Sequence, residues 1–245
     1  MARRKIKLSR HLGRFTWDGR AFLLLILLAL FVAGRVWLKE HPEHDPWAPL
    51  DLRNPTGWAT AAKLRALKGD VRAWRAVLAR SEVTFTALSP QGEAECARPD
   101  RTVLDGYPLS PRPPPTTCAV ALALELWKRD TLDKEAQAIF GQDVRRLDHL
   151  GAYSCRRIYG RDSGRWSEHA TGNAIDIAAF QLQDGTRISV LGDWTGDDAD
   201  KALFLRRVRD GACRQFSTVL SPEYNAAHRD HLHLDMSGGW GGVCR

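Results

Sequence analysis

The chain has 245 residues and a formal net charge of +7, and this length allows one good-sized domain with appendages. Seven basic residues and one acidic residue lie within residues 1–20, so this segment carries a net charge of +6 and the rest of the chain only +1. Because the basic charge is confined to one end, the composition argues against a nucleic-acid groove, and we expect no nucleic-acid partner.

An apolar run follows the basic segment over residues 21–38, and Arg35 is its only charged residue. Its length is close to the roughly 20 residues that a helix needs to cross a hydrocarbon core of about 30 Å. Basic flanking residues favour the cytoplasmic side of a membrane. The sequence therefore predicts a single-pass membrane anchor, with residues 1–20 as a cytoplasmic tail and the rest on the outer side of the membrane. A cleaved signal peptide is the alternative, because residues 32–34 include small side chains.

Two segments separate the apolar run from the main domain. Residues 39–56 are rich in charge and proline, which is typical of a linker. In residues 57–82 apolar side chains recur every three or four positions, with a break at Gly69 and Asp70. This spacing predicts a short helical hairpin.

Residues 83–245 mix helical and strand patterns and contain a proline-rich loop at 108–115. A turn at Asp184 and Gly185 joins two strand patterns, as in a hairpin. The sequence predicts an α+β domain in which a small antiparallel sheet carries the functional site and helices flank it. The predicted strands are 83–88, 174–180, 187–190 and 231–235, and the predicted helices are 119–129, 131–140 and 198–209.

All five cysteines lie beyond the apolar run, and none has the spacing of a Cys-x-x-Cys metal site. In an oxidising compartment they would form two disulfides and leave one thiol. We expect the pairs Cys96–Cys118 and Cys213–Cys244, with Cys155 left free. A role for Cys155 as a nucleophile is the alternative.

The segment 231–235 alternates polar and apolar residues: His231, His233 and Asp235 are interleaved with Leu232 and Leu234. In a strand, side chains two residues apart share a face. The two leucines therefore face the core, and the polar residues face the other way. A polar face on an otherwise apolar strand is costly unless its groups bind one another or a metal ion.

A second polar position lies on the strand over 174–180, where Asp176 stands between Ile175 and Ile177. His169 precedes this strand on a loop. Catalytic zinc usually takes three His, Asp or Glu ligands and leaves one position for water. His169, Asp176 and His233 meet that requirement, so the sequence predicts a Zn²⁺ site on these residues.

His231 would face the same cavity as the metal ligands, and we expect it to act as general base or to stabilise an oxyanion. Asp230 is the competing candidate for the base. A hydrogen-bonded structural cluster without metal is the alternative, although four of the eight histidines fall within the two motifs.

Further segments complete a family pattern. They are Cys-Ala-Val-Ala at 118–121, His-Leu-Gly-Ala-Tyr-Ser-Cys-Arg at 149–156, Ser-Glu-His-Ala at 167–170, Asn-Ala-Ala-His-Arg-Asp-His-Leu-His-Leu-Asp at 225–235 and the final Cys-Arg. With these motifs, residues 83–245 resemble the bacterial extensin-like C-terminal domain family. They are also similar to the D-Ala-D-Ala metallopeptidases and lysostaphin-like zinc peptidases.

The resemblance to the peptidases implies hydrolysis of amide bonds in peptidoglycan peptides by one zinc ion, with His231 as the catalytic histidine. It also implies that Arg156, placed just ahead of the first ligand motif, contacts a carbonyl or carboxylate of the substrate. Several of these peptidases have a Glu three residues before the last His ligand, where this chain has Asp230.

Two other functional classes stay open at this point. One is a non-catalytic, zinc-containing module that binds the cell wall, and the other is a metal-free scaffold between membrane and wall. The sequence leaves the bond that is cleaved and the oligomeric state undetermined.

Overall fold

The computed structural model describes residues 16–67, 69–238 and 242–245. The first helix, α1, covers Thr16–Glu40. Within the described residues, its segment Gly19–Glu40 is the one helix that is long and apolar enough to cross a membrane, and no part of its most apolar stretch is buried. Such a helix is either a membrane anchor or an N-terminal signal sequence. Most of the predicted basic tail, residues 1–15, lies outside the described residues.

Two short helices, α2 (Thr60–Ala66) and α3 (Val71–Arg80), lie on either side of the predicted break. Asp70 caps α3, because its carboxylate accepts a hydrogen bond from the backbone amide three residues later at 3.0 Å. Leu50 and Leu52, from the segment between α1 and α2, belong to the main hydrophobic core. This segment therefore packs on the domain.

The strands of the described residues form two sheets, which confirms the predicted α+β class. A small sheet pairs β1 and β2, and a larger sheet has the strand order β3-β4-β5-β8-β7, with β6 also beside β5. Its pairings are antiparallel except that of β3 with β4. The strand bounds are β1 Phe85–Leu88, β2 Arg101–Leu104, β3 Leu109–Ser110, β4 Val144–Gly151, β5 Ala174–Leu182, β6 Arg187–Ser189, β7 Thr218–Leu220 and β8 Leu232–Asp235.

The remaining helices pack on the larger sheet through an aromatic core. Trp127, at the end of α4, makes edge-on ring contacts with Phe180 of β5 at 5.9 Å and with Phe216 at 6.2 Å. Its indole Nε1–H donates to the carbonyl of Val208 at 2.8 Å, so the buried polar atom is satisfied. The helices are α4 Cys118–Trp127, α5 Asp133–Phe140, α6 Val190–Asp193 and α7 Ala199–Ala212, and a π-helical turn, Lys128–Leu132, joins α4 to α5.

The disulfides are Cys96–Cys155 and Cys213–Cys244, and Cys118 is a free, buried thiol. The prediction of Cys213–Cys244 is confirmed, whereas that of Cys96–Cys118 is wrong. Cys118 is the first residue of α4, and its amide donates to Asp100 Oδ2 at 2.5 Å. Burial and the nearby Asp100 charge raise the pKa of the Cys118 thiol to about 12. Because Cys155 is in a disulfide, it is not available as a nucleophile.

Candidate metal centre

Adjacent strands bring two of the three predicted ligands together. β5 and β8 pair in a register that places Asp176 opposite His233, so their side chains share one face of the sheet. His169 comes from the 3₁₀ turn Glu168–Thr171, immediately before β5. This turn ends at Gly172, whose φ of 73° lies in the left-handed region that favours glycine. The chain can thereby reverse and return His169 over the start of the strand.

The three side chains converge on one point. His169 Nε2 lies 3.1 Å from His233 Nδ1 and 3.1 Å from Asp176 Oδ2. His233 Nδ1 lies 2.9 Å from Asp176 Oδ1. Within the described residues, this is the group of His, Cys, Asp and Glu side chains that could hold a metal ion.

The second ring nitrogen of His169 and of His233 makes a hydrogen bond outside the cluster. His169 Nδ1–H donates to the carbonyl of Ala152 at 3.2 Å, and His233 Nε2–H donates to Asp235 Oδ2 at 3.0 Å. A carbonyl and a carboxylate only accept hydrogen bonds, so both contacts favour a hydrogen on the outward nitrogen of each ring. In the neutral rings, the nitrogens that face each other therefore carry lone pairs.

These contacts fit a bound cation. With both rings neutral and donating outward, two imidazole lone pairs and the carboxylate of Asp176 would face one another without a hydrogen-bond donor, an arrangement that a proton or a metal ion relieves. Tetrahedral zinc with bonds of about 2.0–2.1 Å would separate its ligand atoms by about 3.3 Å, close to the 2.9 and 3.1 Å found here. The donor set of two imidazoles and one carboxylate also suits zinc.

The charges of the cluster depend strongly on one another. Burial raises the pKa of Asp176, but hydrogen bonds from His169 and His233 outweigh this effect and hold it well below its usual value. Burial lowers the pKa of His233, but hydrogen bonds to Asp176 and Asp235 outweigh that and raise it to about 9. A positive charge is therefore stabilised at this position.

His231 and Asp230 form a pair at the edge of the cluster. His231 Nδ1–H donates to Asp230 Oδ1 at 2.8 Å, and its other nitrogen, Nε2, lies 3.6 Å from Asp176 Oδ1. The hydrogen bond from His231 lowers the pKa of Asp230. Asp230 is thus held as a carboxylate, and the free nitrogen of His231 faces the predicted metal position.

A further histidine, His228, packs beside this pair. Its ring centroid lies 5.3 Å from that of His231 and 5.9 Å from that of His233, and its Nδ1–H donates to Asn225 Oδ1 at 2.8 Å. Burial, together with the neighbouring His231 and His233, lowers the pKa of His228 to about 4. His228 is therefore neutral near pH 7.

The family assignment rests on the sequence of the whole domain. A family model described as extensin-like protein C-terminus matches residues 72–245, well over half of the chain. The chain belongs to this family. The match begins at α3, before the predicted domain boundary at residue 83. No curated protein and no solved structure matches the chain, and the similarity to zinc peptidases stays a prediction.

The cluster of His169, Asp176 and His233 in the extensin-like domain opens into a cleft of about 400 Å³. One wall comes from the segment before His169 and another from the segment that leads to β8. The cleft also reaches β7 and Val243 near the C-terminus. Its lining includes Arg156, Ile158, Tyr159, Arg165, Trp166, Ser167, Glu168, Thr218, Leu220, Tyr224, Ala227, His228 and His231, together with the three ligand residues.

The structure distinguishes the two neighbouring arginines near this cleft. Arg156 is exposed and lines the cleft. Arg157 stacks its guanidinium on Trp166, 4.5 Å from the ring centroid, and donates to the carbonyl of Gly164. Of the two, Arg156 is therefore the one available to a ligand in the cleft.

Sequence reasoning assigned no role to some residues of the site. The alternation of polar and apolar residues over 231–235 predicts that Asp235 shares a face with His233. This alternation is the signal from which its hydrogen bond to His233 could be inferred. Arg165 and Tyr159 precede the first motif closely, but nothing in their spacing indicated that they line the cleft. The carbonyl of Ala152 could not be identified from sequence, because every residue has one.

Proposed function

We propose that this chain is a membrane-anchored, periplasmic zinc metallopeptidase that hydrolyses amide bonds in peptidoglycan peptides. The observation that carries the proposal is the convergence of His169, Asp176 and His233, with Nε2 of His231 directed at the same point in an open cleft. The resemblance of the motifs to wall peptidases supports the substrate class. Fold resemblance alone would not define an activity.

His169, Asp176 and His233 would hold the zinc ion. When bound, zinc supplies a Lewis acid that polarises a carbonyl and lowers the pKa of water toward neutrality. Two neutral imidazoles and one carboxylate leave the site with a formal charge of +1, which favours that chemistry. Ala152 and Asp235 would accept the outward N–H groups of the two imidazoles, which leaves the inward nitrogens free to bind the metal.

His231 is the better placed of the two candidate bases. Asp230 accepts the proton-bearing Nδ1–H of His231, so the lone pair of Nε2 faces the cleft, where it can take a proton from attacking water. The same nitrogen can then deliver that proton to the departing amine. Asp230 acts through His231, because it holds the ring in this orientation. Arg156, on the cleft wall, would bind the substrate carbonyl or carboxylate.

The proposed location rests on the N-terminal segment and the disulfides. The basic residues before α1 would stay in the cytoplasm, and α1 would cross the inner membrane. The domain would then lie in the periplasm, where the two disulfides are stable.

Zinc content and digestion of purified peptidoglycan test the proposal, with the full chain in detergent. We compare the parent, His231→Ala and His149→Ala, a matched control on β4 outside the cleft. We expect about one zinc ion per chain in all three proteins, and altered muropeptides with the parent and the control but not with His231→Ala.

The outcomes that contradict the proposal are distinct. Absence of zinc from protein purified without chelators would refute the metal site. Bound zinc without any change in the wall would refute hydrolysis and favour the wall-binding module. Equal digestion by His231→Ala and the parent would refute the role of His231.

A further inference from the structure

A short antiparallel ribbon forms the cleft wall beside the metal-binding cluster. It consists of residues 156–158 and 165–167, and we call it the arginine ribbon. Its central pair is Arg157 with Trp166. The flanking backbone hydrogen bonds run from Ser167 N to Arg156 O at 3.1 Å and from Ile158 N to Arg165 O at 3.0 Å.

This pairing places two arginines on one face of the ribbon. Side chains alternate along each strand, and cross-strand partners share a face. Arg156 and Arg165 are therefore diagonal neighbours on the face opposite Arg157, a relation that places strand backbone positions about 7–8 Å apart. Both line the cleft.

Neither cleft-facing arginine has an acidic partner. Among the side chains that the structure describes, no carboxylate oxygen lies within the 4.0 Å salt-bridge distance of the Arg156 or Arg165 guanidinium. By contrast, Arg146 and Arg187 on the sheet both pair with Asp148, at 2.9 and 3.1 Å. The two cleft arginines thus present unneutralised charge to whatever enters the cleft.

The ribbon is tied to the segment that carries the catalytic histidine. Tyr159, at the end of its first strand, has a left-handed φ of 58°, a strained conformation for a non-glycine residue. Its hydroxyl accepts a hydrogen bond from Asn225 Nδ2 at 2.9 Å, and Asn225 also binds His228. Such strain is stored mainly at functional sites, where the surrounding contacts hold it.

We propose that Arg165 is a specificity-determining residue that binds a carboxylate of an acidic peptide, a role that rests on the proposed function. Arg156 would contact the group next to the scissile bond. The preferred substrate is therefore a peptide with a side-chain or terminal carboxylate close to, but separate from, the group that Arg156 contacts. Guanidinium groups recognise carboxylates through paired hydrogen bonds.

Peptide affinity, measured without turnover, tests this role. We use the zinc-loaded full chain carrying His231→Ala, in detergent, and two fluorescent synthetic wall peptides. One has free carboxylates, and the other has the same carboxylates amidated. The variants are Arg165→Gln, Arg165→Lys and the control Arg145→Gln, an exposed arginine on β4 outside the cleft.

We expect Arg165→Gln to weaken binding of the free peptide about tenfold and to leave the amidated peptide unchanged. Arg165→Lys should restore part of the affinity, because it keeps the charge without the planar fork. Arg145→Gln should change neither value.

Equal weakening of both peptides, or of neither, would overturn the role of Arg165, as would failure of the free peptide to bind the chain that keeps Arg165. If the parent digests peptidoglycan in the first experiment while Arg165→Gln changes the affinity for both peptides equally or for neither, this role alone fails and the proposed function stands.

Discussion

Replacement of Asp235 by Asn tests whether a hydrogen bond behind the ligand His233 controls metal binding. Asp235 is 4% exposed. Its Oδ2 accepts from His233 Nε2–H at 3.0 Å, and its Oδ1 accepts from the amide of Ser237 at 2.8 Å. Asn has the same shape but only one accepting oxygen. One of these two donors must therefore lose its acceptor.

The imidazole is the partner that can adapt. The Ser237 amide always donates, so the Asn oxygen would turn to it and the amide NH₂ would face His233. The ring would then protonate Nδ1 instead of Nε2 and direct an N–H at His169 and Asp176. Metal binding must reverse this change and leave two donors facing each other, which costs about 1–3 kcal/mol. We expect the affinity for zinc to fall about 10- to 100-fold, the range found when outer hydrogen-bond partners of zinc ligands are replaced.

Competition with a chromophoric chelator at fixed pH measures this affinity for the full chain in detergent. Asp193→Asn is the matched control, because Asp193 Oδ2 also accepts a hydrogen bond from a backbone amide, that of Ser189, at 2.7 Å, but no histidine. The control should bind zinc as the parent does. An affinity of Asp235→Asn within about threefold of the parent would refute the argument that Asp235 fixes the tautomer.

Three further predictions concern the core, the free thiol and the orienting carboxylate. Phe180→Ala removes a buried ring that packs on Trp127 and should cost about 3–5 kcal/mol in chemical denaturation; a loss below about 1 kcal/mol would contradict that packing. Without reductant, the Cys118 thiol should resist alkylation at pH 8 until the protein unfolds, because burial raises its pKa to about 12; labelling of the folded protein would contradict its burial. Asp230→Asn should lower the rate of hydrolysis while leaving zinc content unchanged, since it acts through His231; loss of zinc would show a structural role instead.

The arrangement of the candidate site could be predicted largely from strand periodicity. In β8, the alternation of Leu with His and Asp predicts that His233 and Asp235 share one face. In β5, the isoleucines on either side of Asp176 predict that Asp176 lies on the face opposite to theirs. The structure pairs these two strands directly. The sequence could not provide this register, because two strands separated by about fifty residues can align in many ways. Only the burial of one face of each strand restricts the choice.

Strand β4 shows why other elements escaped prediction. Its sequence, Val-Arg-Arg-Leu-Asp-His-Leu-Gly, does not alternate cleanly, because three irregularities shift its register against β5. At each shift the side chains change faces, so the period of two is interrupted. β7 was missed for a different reason: it has only three residues, Thr218–Leu220, and so carries little pattern.

The cysteine pairing failed because distance along the chain is a poor guide to distance in space. Cys96 was predicted to bond Cys118, 22 residues later, but it bonds Cys155 across a separation of 59 residues. Cys155 lies one residue before Arg156 on the cleft wall. The disulfide therefore links the arginine ribbon to the body of the domain, and this connection depends on the fold.

The outward hydrogen bonds of His169 and His233 bear on the choice between a metal site and a purely structural cluster. A structural cluster would be expected to match donors with acceptors. In this protein His169 and His233 donate their N–H groups outward, to a carbonyl and to a carboxylate, and leave acceptors facing inward. In the metal-free protein, a proton on His233 Nδ1 satisfies these groups, because that N–H can donate to Asp176 and to His169. A zinc ion would replace this proton, bind all three groups and leave a position for water.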